Sequence, residues 1–270
     1  MNPLQQKSFV TDSATIHYWT NGNLGKPTVF LLHGAAMDHS MFDPQLEVLQ
    51  SYNVIAWDAR GHGASRPVRG NFALSDLAND ALAILDSLNI TSALFIGQSE
   101  GSMVAQEVYR LRPLVVNGLV SIGGSPIMLT YSKMDIWLLN LSTSIIKVWP
   151  YKNFMNALAK KTAIKKNVQE YALSTVASIS KKDFLSIWSG VTSSLSTAGI
   201  MDMQITVPLL LTYGEHDTTG TVKKNNIRWH EYEPHARLVV IPDAGHNANQ
   251  DNPSFFNELL AKFLNDISAK

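Results

Sequence analysis

Hydrophobic and polar positions follow two rhythms along this chain. Residues 8–20 alternate and are rich in β-branched and aromatic side chains. That pattern predicts two short strands around a Thr11-Asp12-Ser13 turn, with Asn21-Gly22-Asn23 as the next turn. Six compact apolar runs follow, at 27–32, 53–57, 93–96, 116–122, 207–213 and 237–241. Runs of this kind suit strands covered on both faces, as in a parallel sheet. Between them lie stretches with helical spacing, at 40–49, 74–88, 102–109, 221–230 and 253–267. In the second, Leu77, Leu82, Leu85 and Leu88 fall near one face. The third stops before Pro113, and Asn252 stands where the last needs an N-cap. Strand and helix in alternation predict an α/β architecture, a doubly wound and mostly parallel sheet of eight strands.

The rhythm breaks between 127 and 203. That segment is helical in pattern and carries Trp137, Trp149 and Trp188, together with nine lysines against four acids, Asp135, Glu170, Asp183 and Asp202. It reads as a helical lid inserted into a core made of 1–126 and 204–270. The lysine pairs at 160–161, 165–166 and 181–182 read as solvated helix faces, and the tryptophans as lid packing that could also touch a ligand.

In a doubly wound sheet the working residues lie beyond the carboxyl ends of the strands. The 93–96 strand runs into Gly97-Gln98-Ser99-Glu100-Gly101 and then a helix. Gly-x-Ser-x-Gly in that setting is a nucleophile elbow, a turn sharp enough to push the serine hydroxyl out above the sheet. The 207–213 strand ends in Gly214-Glu215-His216-Asp217, and the last strand in Pro242-Asp243-Ala244-Gly245-His246. Asp217, three residues after Gly214, is preferred over Glu215 and Asp243 as the acid. The 116–122 strand, closed by Gly123-Gly124-Ser125, offers no carboxylate. His246 is the one histidine in an Ala-Gly-His context near the C-terminus.

With His33-Gly34 and Asp58-x-Arg60-Gly61-His62-Gly63-x-Ser65 these motifs make five, in order. The chain thereby resembles the α/β-hydrolase fold serine hydrolases over its whole length apart from the variable lid. The resemblance implies a Ser-Asp-His triad. A serine hydroxyl is a poor nucleophile unless a base removes its proton during attack. His246 would be that base, and Asp217 would hold the imidazole in the right tautomer. The oxyanion would sit on two backbone N–H groups, those of Glu100 and, by likeness to relatives with a His-Gly-x loop, Ala35. His33, Arg60 and His62 read as loop-shaping residues. Asp38, His39 and His216 match no metal-ligand spacing, and no cofactor or metal is expected.

Two departures stand out. Glu100 follows the nucleophile, where relatives often carry apolar, glutamine or histidine residues. A carboxylate facing the pocket would oppose a developing oxyanion unless paired or protonated, and Glu100 is expected to point aside into a hydrogen bond or ion pair. Ser102 replaces the second glycine of the common Gly-x-Ser-x-Gly-Gly form, with little effect expected.

Composition narrows the reading. The chain has 270 residues, enough for one large α/β domain, and its 22 basic and 22 acidic residues balance. Nothing global therefore favours nucleic acid. The absence of cysteine excludes disulfides, thiolate metal sites and a cysteine nucleophile, and fits a reducing compartment. The first seven residues lack the apolar run of a secretory signal. A soluble, cytoplasmic protein without stable membrane insertion is expected, as monomer or homodimer. The implied activity is hydrolysis of carboxylic esters with a small to medium apolar acyl group, through an acyl-enzyme. The alternatives are a C–C bond or lactone hydrolase with the same triad, and a non-catalytic receptor on the same fold. A serine at 99 argues against haloalkane dehalogenase and epoxide hydrolase, which use aspartate there.

Overall fold

The computed structural model describes residues 3–11, 13–68, 70–199 and 203–268. Asp12 of the expected first turn, and Asp202 among the acids of the 127–203 segment, lie outside them. Eight strands form one sheet: β1 (Gln5–Val10), β2 (Thr15–Thr20), β3 (Thr28–Leu32), β4 (Asn53–Asp58), β5 (Ala93–Gln98), β6 (Val116–Ile122), β7 (Leu209–Gly214) and β8 (Arg237–Ile241). Their spatial order is β1-β2-β4-β3-β5-β6-β7-β8. The pairs β1·β2 and β2·β4 are antiparallel, and every other pair is parallel. The sheet is thus eight-stranded and mostly parallel, as the alternation of strand and helix indicated.

The apolar runs explain how the sheet is covered. Successive residues of a strand point to opposite faces, so a run without polar interruptions supplies two cores. Phe30, Leu32, Ile55, Trp57 and Phe95 pack on one side, with α1 (Leu74–Ser87), α2 (Glu100–Leu111) and Trp229. Their neighbours Val29, Leu31, Val54, Ala56, Leu94 and Ile96 pack on the other, against Phe256, Leu260 and Phe263. Burial of each such side chain contributes roughly 1.5–3 kcal/mol.

Among the described residues, four helices separate β6 from β7: α3 (Lys133–Val148), α4 (Tyr151–Thr162), α5 (Lys166–Ala177) and α6 (Lys181–Ser196). Two of them open on a serine cap three residues before an aspartate, with Ser132 bonded to Asp135 and Ser180 to Asp183. The chain closes with α7 (Val222–Tyr232), the single turn α8 (Ala248–Asp251) and α9 (Pro253–Ser268). Asn252 Oδ1 accepts from the Phe255 N–H at the start of α9.

Two boundaries differ from the sequence reading. Residues 39–45 form a 3₁₀ helix and not the α-helix expected over 40–49; Pro44 lies inside it and has no N–H for an α-helical bond. The α2 helix starts at Glu100, directly on the nucleophile turn, with no spacer up to 102.

Candidate active site

The candidate site is built at the carboxyl end of β5. Ser99 joins β5 to α2 with φ 50° and ψ −111°. A positive φ at a residue with a side chain is strained, by about 1–3 kcal/mol, and persists only where the surroundings impose it. Here they do. The Ser99 N–H donates to the Ile122 carbonyl at the end of β6 (2.8 Å). A side chain at Gly97 would strike the backbone of Gly101, and one at Gly101 would strike the Leu32 carbonyl. The two glycines let strand, helix start and the β3 terminus approach closely enough to hold the turn shut. The Glu100 N–H is the first of α2 and has no helical carbonyl behind it. Through Gly101 that helix start leans on Leu32 and His33, two residues before Ala35.

His246 lies on the loop after β8. Its Nδ1 is 2.8 Å from Asp217 Oδ2, and both side chains are buried. Asp217 accepts through Nδ1–H, so the hydrogen of the neutral ring sits there and Nε2 keeps its lone pair. The other carboxylate oxygen of Asp217 accepts from the Thr219 N–H (2.7 Å). Burial alone would raise this carboxyl, but His246 and Thr219 outweigh it and hold it below its ordinary range. Gly123 ties histidine to serine in space. A Cβ there would stand 3.0 Å from His246 Nδ1, and Gly123 follows the Ile122 carbonyl that holds Ser99. Serine and histidine therefore flank the same two residues of β6 and its loop.

Several residues that the sequence reading passed over support this arrangement. Gln98 Nε2 donates to the His246 carbonyl (3.2 Å). Asp251, fully buried, accepts from the N–H groups of Gly245 (2.8 Å), Ile164 (3.0 Å) and Lys165 (3.0 Å). Asn247 N–H donates to the Thr162 carbonyl (2.9 Å). The loop carrying His246 is thus stitched to the α4–α5 turn. Gln106 bonds the Ser125 carbonyl and the Ile127 N–H, and so pins the chain where it leaves the sheet for α3. Only the nearness of Asp251 to His246 in sequence could have pointed to any of these.

Glu100 departs from expectation. Its carboxyl is buried and faces His62, with Oε2 3.8 Å from Nε2. That is too long for a hydrogen bond. Among the described residues neither atom has a hydrogen-bond partner. Burial lowers the His62 pKa to about 3 and raises that of Glu100 from the ordinary 4.5 to about 8. Both groups are neutral at pH 7, so the expected ion pair does not form, and at 3.8 Å the expected hydrogen bond does not form either. The side chain is turned aside, and burial removes its charge. Ser102 also does more than fit: its hydroxyl donates to Ser121 Oγ (2.7 Å) and ties α2 to β6.

The loops beneath are fixed by the polar residues of the second motif. His33 Nε2 accepts from the Ala59 N–H (2.9 Å) and Nδ1 donates to the Gly34 carbonyl (2.8 Å). Arg60 grips Asp80 with two bonds of 2.7 and 2.6 Å. Asp58 accepts from His39 and from the Ala64 N–H. Asp38 binds Ser40 and the Tyr171 hydroxyl, so Asp38 and His39 are both engaged elsewhere. Ligand-type atoms of Glu215, His216 and Asp243 lie within 4.8 Å of one another. All three are exposed, and Glu215 spends an oxygen on the Asp243 N–H.

Comparison with known proteins agrees with this architecture. The family model described as "Alpha/beta hydrolase family" matches residues 29–259. The chain belongs to the alpha/beta hydrolase family, and hydrolase activity is what that membership supports. Among curated relatives, 3-oxoadipate enol-lactonase 1 of Acinetobacter baylyi is 25% identical over 94% of each chain. Human epoxide hydrolase 4 is 26% identical over 94% of this chain and 76% of its own. Among solved structures, the enol-lactonase of Burkholderia xenovorans superimposes with a TM-score of 0.79 at 19% identity, covering 96% of this chain and all of the other. A thermophilic esterase from Thermogutta terrifontis gives 0.79 at 19% identity, covering 97% and 99%. Among the described residues no helix is long and apolar enough to cross a membrane.

Proposed function

We propose that this protein hydrolyses carboxylic esters with a small to medium apolar acyl group through an acyl-enzyme on Ser99. The carrying observation is the 2.8 Å bond from Asp217 to His246 Nδ1, beside a serine held at φ 50°. With the proton on Nδ1, Nε2 is the atom free to take the hydroxyl proton as Ser99 attacks the carbonyl carbon. Asp217, already ionised, stabilises the imidazolium that forms. The oxyanion lies on the N–H groups of Ala35 and Glu100, each donor worth about 3 kcal/mol in the transition state. His246 then returns its proton to the departing alkoxide. Water, deprotonated by the same nitrogen, attacks the acyl-enzyme and releases the acid. Residues 127–203 form a cap over this cleft, and 1–126 with 204–270 form the core.

Hydrolysis of a lactone, an internal ester, is the second reading. It is favoured by the enol-lactonase relatives, which match over nearly the full chain. The relative named as an epoxide hydrolase is a weaker guide, because Ser99 is a serine where that chemistry uses aspartate. A fluorophosphonate probe tests the nucleophile: the wild type should label and Ser99→Ala should not. Turnover of matched nitrophenyl esters and lactones then ranks the two substrates. A labelled protein that turns over neither would be a reactive receptor and would overturn the enzymatic reading.

A further inference from the structure

The turn that carries Ala35 is held from two sides. The Met37 N–H donates to the Gly34 carbonyl (3.0 Å) and closes residues 34–37 into a β-turn. Ala36, the third residue of that turn, has φ 63°. A residue with a side chain is strained there and stays only where its surroundings impose the conformation. At the start of the turn the core imposes it. His33 Nδ1 donates to the Gly34 carbonyl (2.8 Å), and a Cβ on Gly34 would strike the Gln98 side chain. At its end the holding groups come from α5.

Tyr171 on α5 clasps Asp38 in both directions. Its hydroxyl accepts from the Asp38 N–H (3.3 Å) and donates to Asp38 Oδ1 (3.0 Å). The same carboxylate oxygen accepts from the Ser40 N–H (3.1 Å) and Ser40 Oγ (2.6 Å). Burial and the Asp38 charge raise the Tyr171 hydroxyl well above its ordinary range, so it keeps the proton it donates. One helical turn further on, Thr175 Oγ1 stands 3.7 Å from Met37 Sδ. Asn247, next to His246, brings Nδ2 to 3.8 Å from the same sulfur. Met37 is buried. The two residues that follow Ala36 are thus both held by α5, whose own N-cap, Lys165, is tied to the His246 loop through Asp251.

We propose that Tyr171 is a positioning residue for the hydrolysis: from α5 it locks the turn that presents the Ala35 N–H to the oxyanion. The inference rests on the acyl-transfer reading above and adds to it a residue that acts through Asp38. An oxyanion donor is effective only when it already points at the place where charge develops, and a small misplacement is costly. That charge exists only in the transition state, so loosening the turn should lower kcat and leave KM in place. Acylation and deacylation each pass through an oxyanion, so kcat falls whichever of the two is slower. Phenylalanine at 171 fills nearly the same space and makes neither bond to Asp38.

The test compares the wild type with Tyr171→Phe in three measurements. Steady-state turnover of a nitrophenyl ester should show kcat lower on the order of 10-fold, short of the roughly 100-fold that removal of a donor costs, with KM within about 2-fold. The Ki of a trifluoromethyl ketone, which forms an oxyanion adduct on the serine, should rise by the same factor as kcat/KM falls. Hydrogen exchange read by mass spectrometry should quicken in a peptide covering 33–38 and stay unchanged at 97–101. A purely structural tyrosine would lower Tm and move none of these selectively. Unchanged kcat, a loss carried by KM, an unchanged Ki, or equal exchange at 33–38 overturns the proposal while the wild type still turns over ester. Failure of the functional reading looks different: the wild type itself then turns over neither ester nor lactone, and both fall.

Discussion

Glu100→Gln isolates the most unusual group near the candidate active site. In the folded protein burial raises this carboxyl from 4.5 to about 8; in the unfolded chain it ionises at its ordinary value. The folded state therefore holds a proton that the unfolded state has released everywhere between those two pH values. For an acid with a raised pKa, stability falls as pH rises through that window. The slope is about 1.4 kcal/mol per pH unit. By pH 7 the loss amounts to about 3 kcal/mol relative to pH 4.5. Glutamine has nearly the same shape and does not titrate. Its buried amide can be left without a partner, at a cost of about 1–3 kcal/mol, but that cost does not vary with pH. The informative quantity is thus the change with pH of the difference between the two proteins. Urea unfolding of both at pH 5, 6, 7 and 8 should show the variant gaining about 4 kcal/mol on the wild type across the series. Every other titrating group cancels in that difference. Parallel stability curves, or a variant that loses ground as pH rises, would refute the burial of a neutral carboxylic acid beside Ser99. Activity offers a second view. The wild type should fall off above about pH 8 as a carboxylate forms on the residue whose N–H is proposed to hold the oxyanion, and the variant should not.

Other changes probe other parts of the site. Asp217→Asn should lower kcat by about 1,000- to 10,000-fold, because an amide can donate to Nδ1 and favour the wrong tautomer; steady-state ester hydrolysis with the fold checked by circular dichroism reads this out. Asp251→Ala removes three bonds to a buried carboxylate and should cost about 3 kcal/mol or more. It should also open the α4–α5 turn to proteolysis while kcat falls, and an uncut turn with full activity would show that the stitch does not matter. Asp80→Ala leaves Arg60 buried and unpaired, which should cost about 3–5 kcal/mol in guanidinium unfolding.

What the one-dimensional pattern determined is whatever depends on neighbours along the chain. The two-faced apolar runs specified a sheet covered on both sides, because adjacent residues of a strand face opposite ways. Gly97-Gln98-Ser99-Glu100-Gly101 specified a sharp strand-to-helix turn, because only glycine tolerates the contacts on either side of Ser99. Asp217 and His246 were legible because strand ends in such a sheet converge. The tertiary structure decided what depends on groups distant in sequence. Asp251 looks like any acid near a helix start until Ile164 and Lys165 arrive from another element to share it. Glu100 and His62 carry nothing in their local sequence to show that each would lose its charge. That outcome follows from burial, and burial belongs to the packed whole. The 39–45 segment marks the boundary between the two: its spacing suggested a helix running on to Leu49, and only the structure showed a 3₁₀ helix that ends at Gln45 with Pro44 inside it.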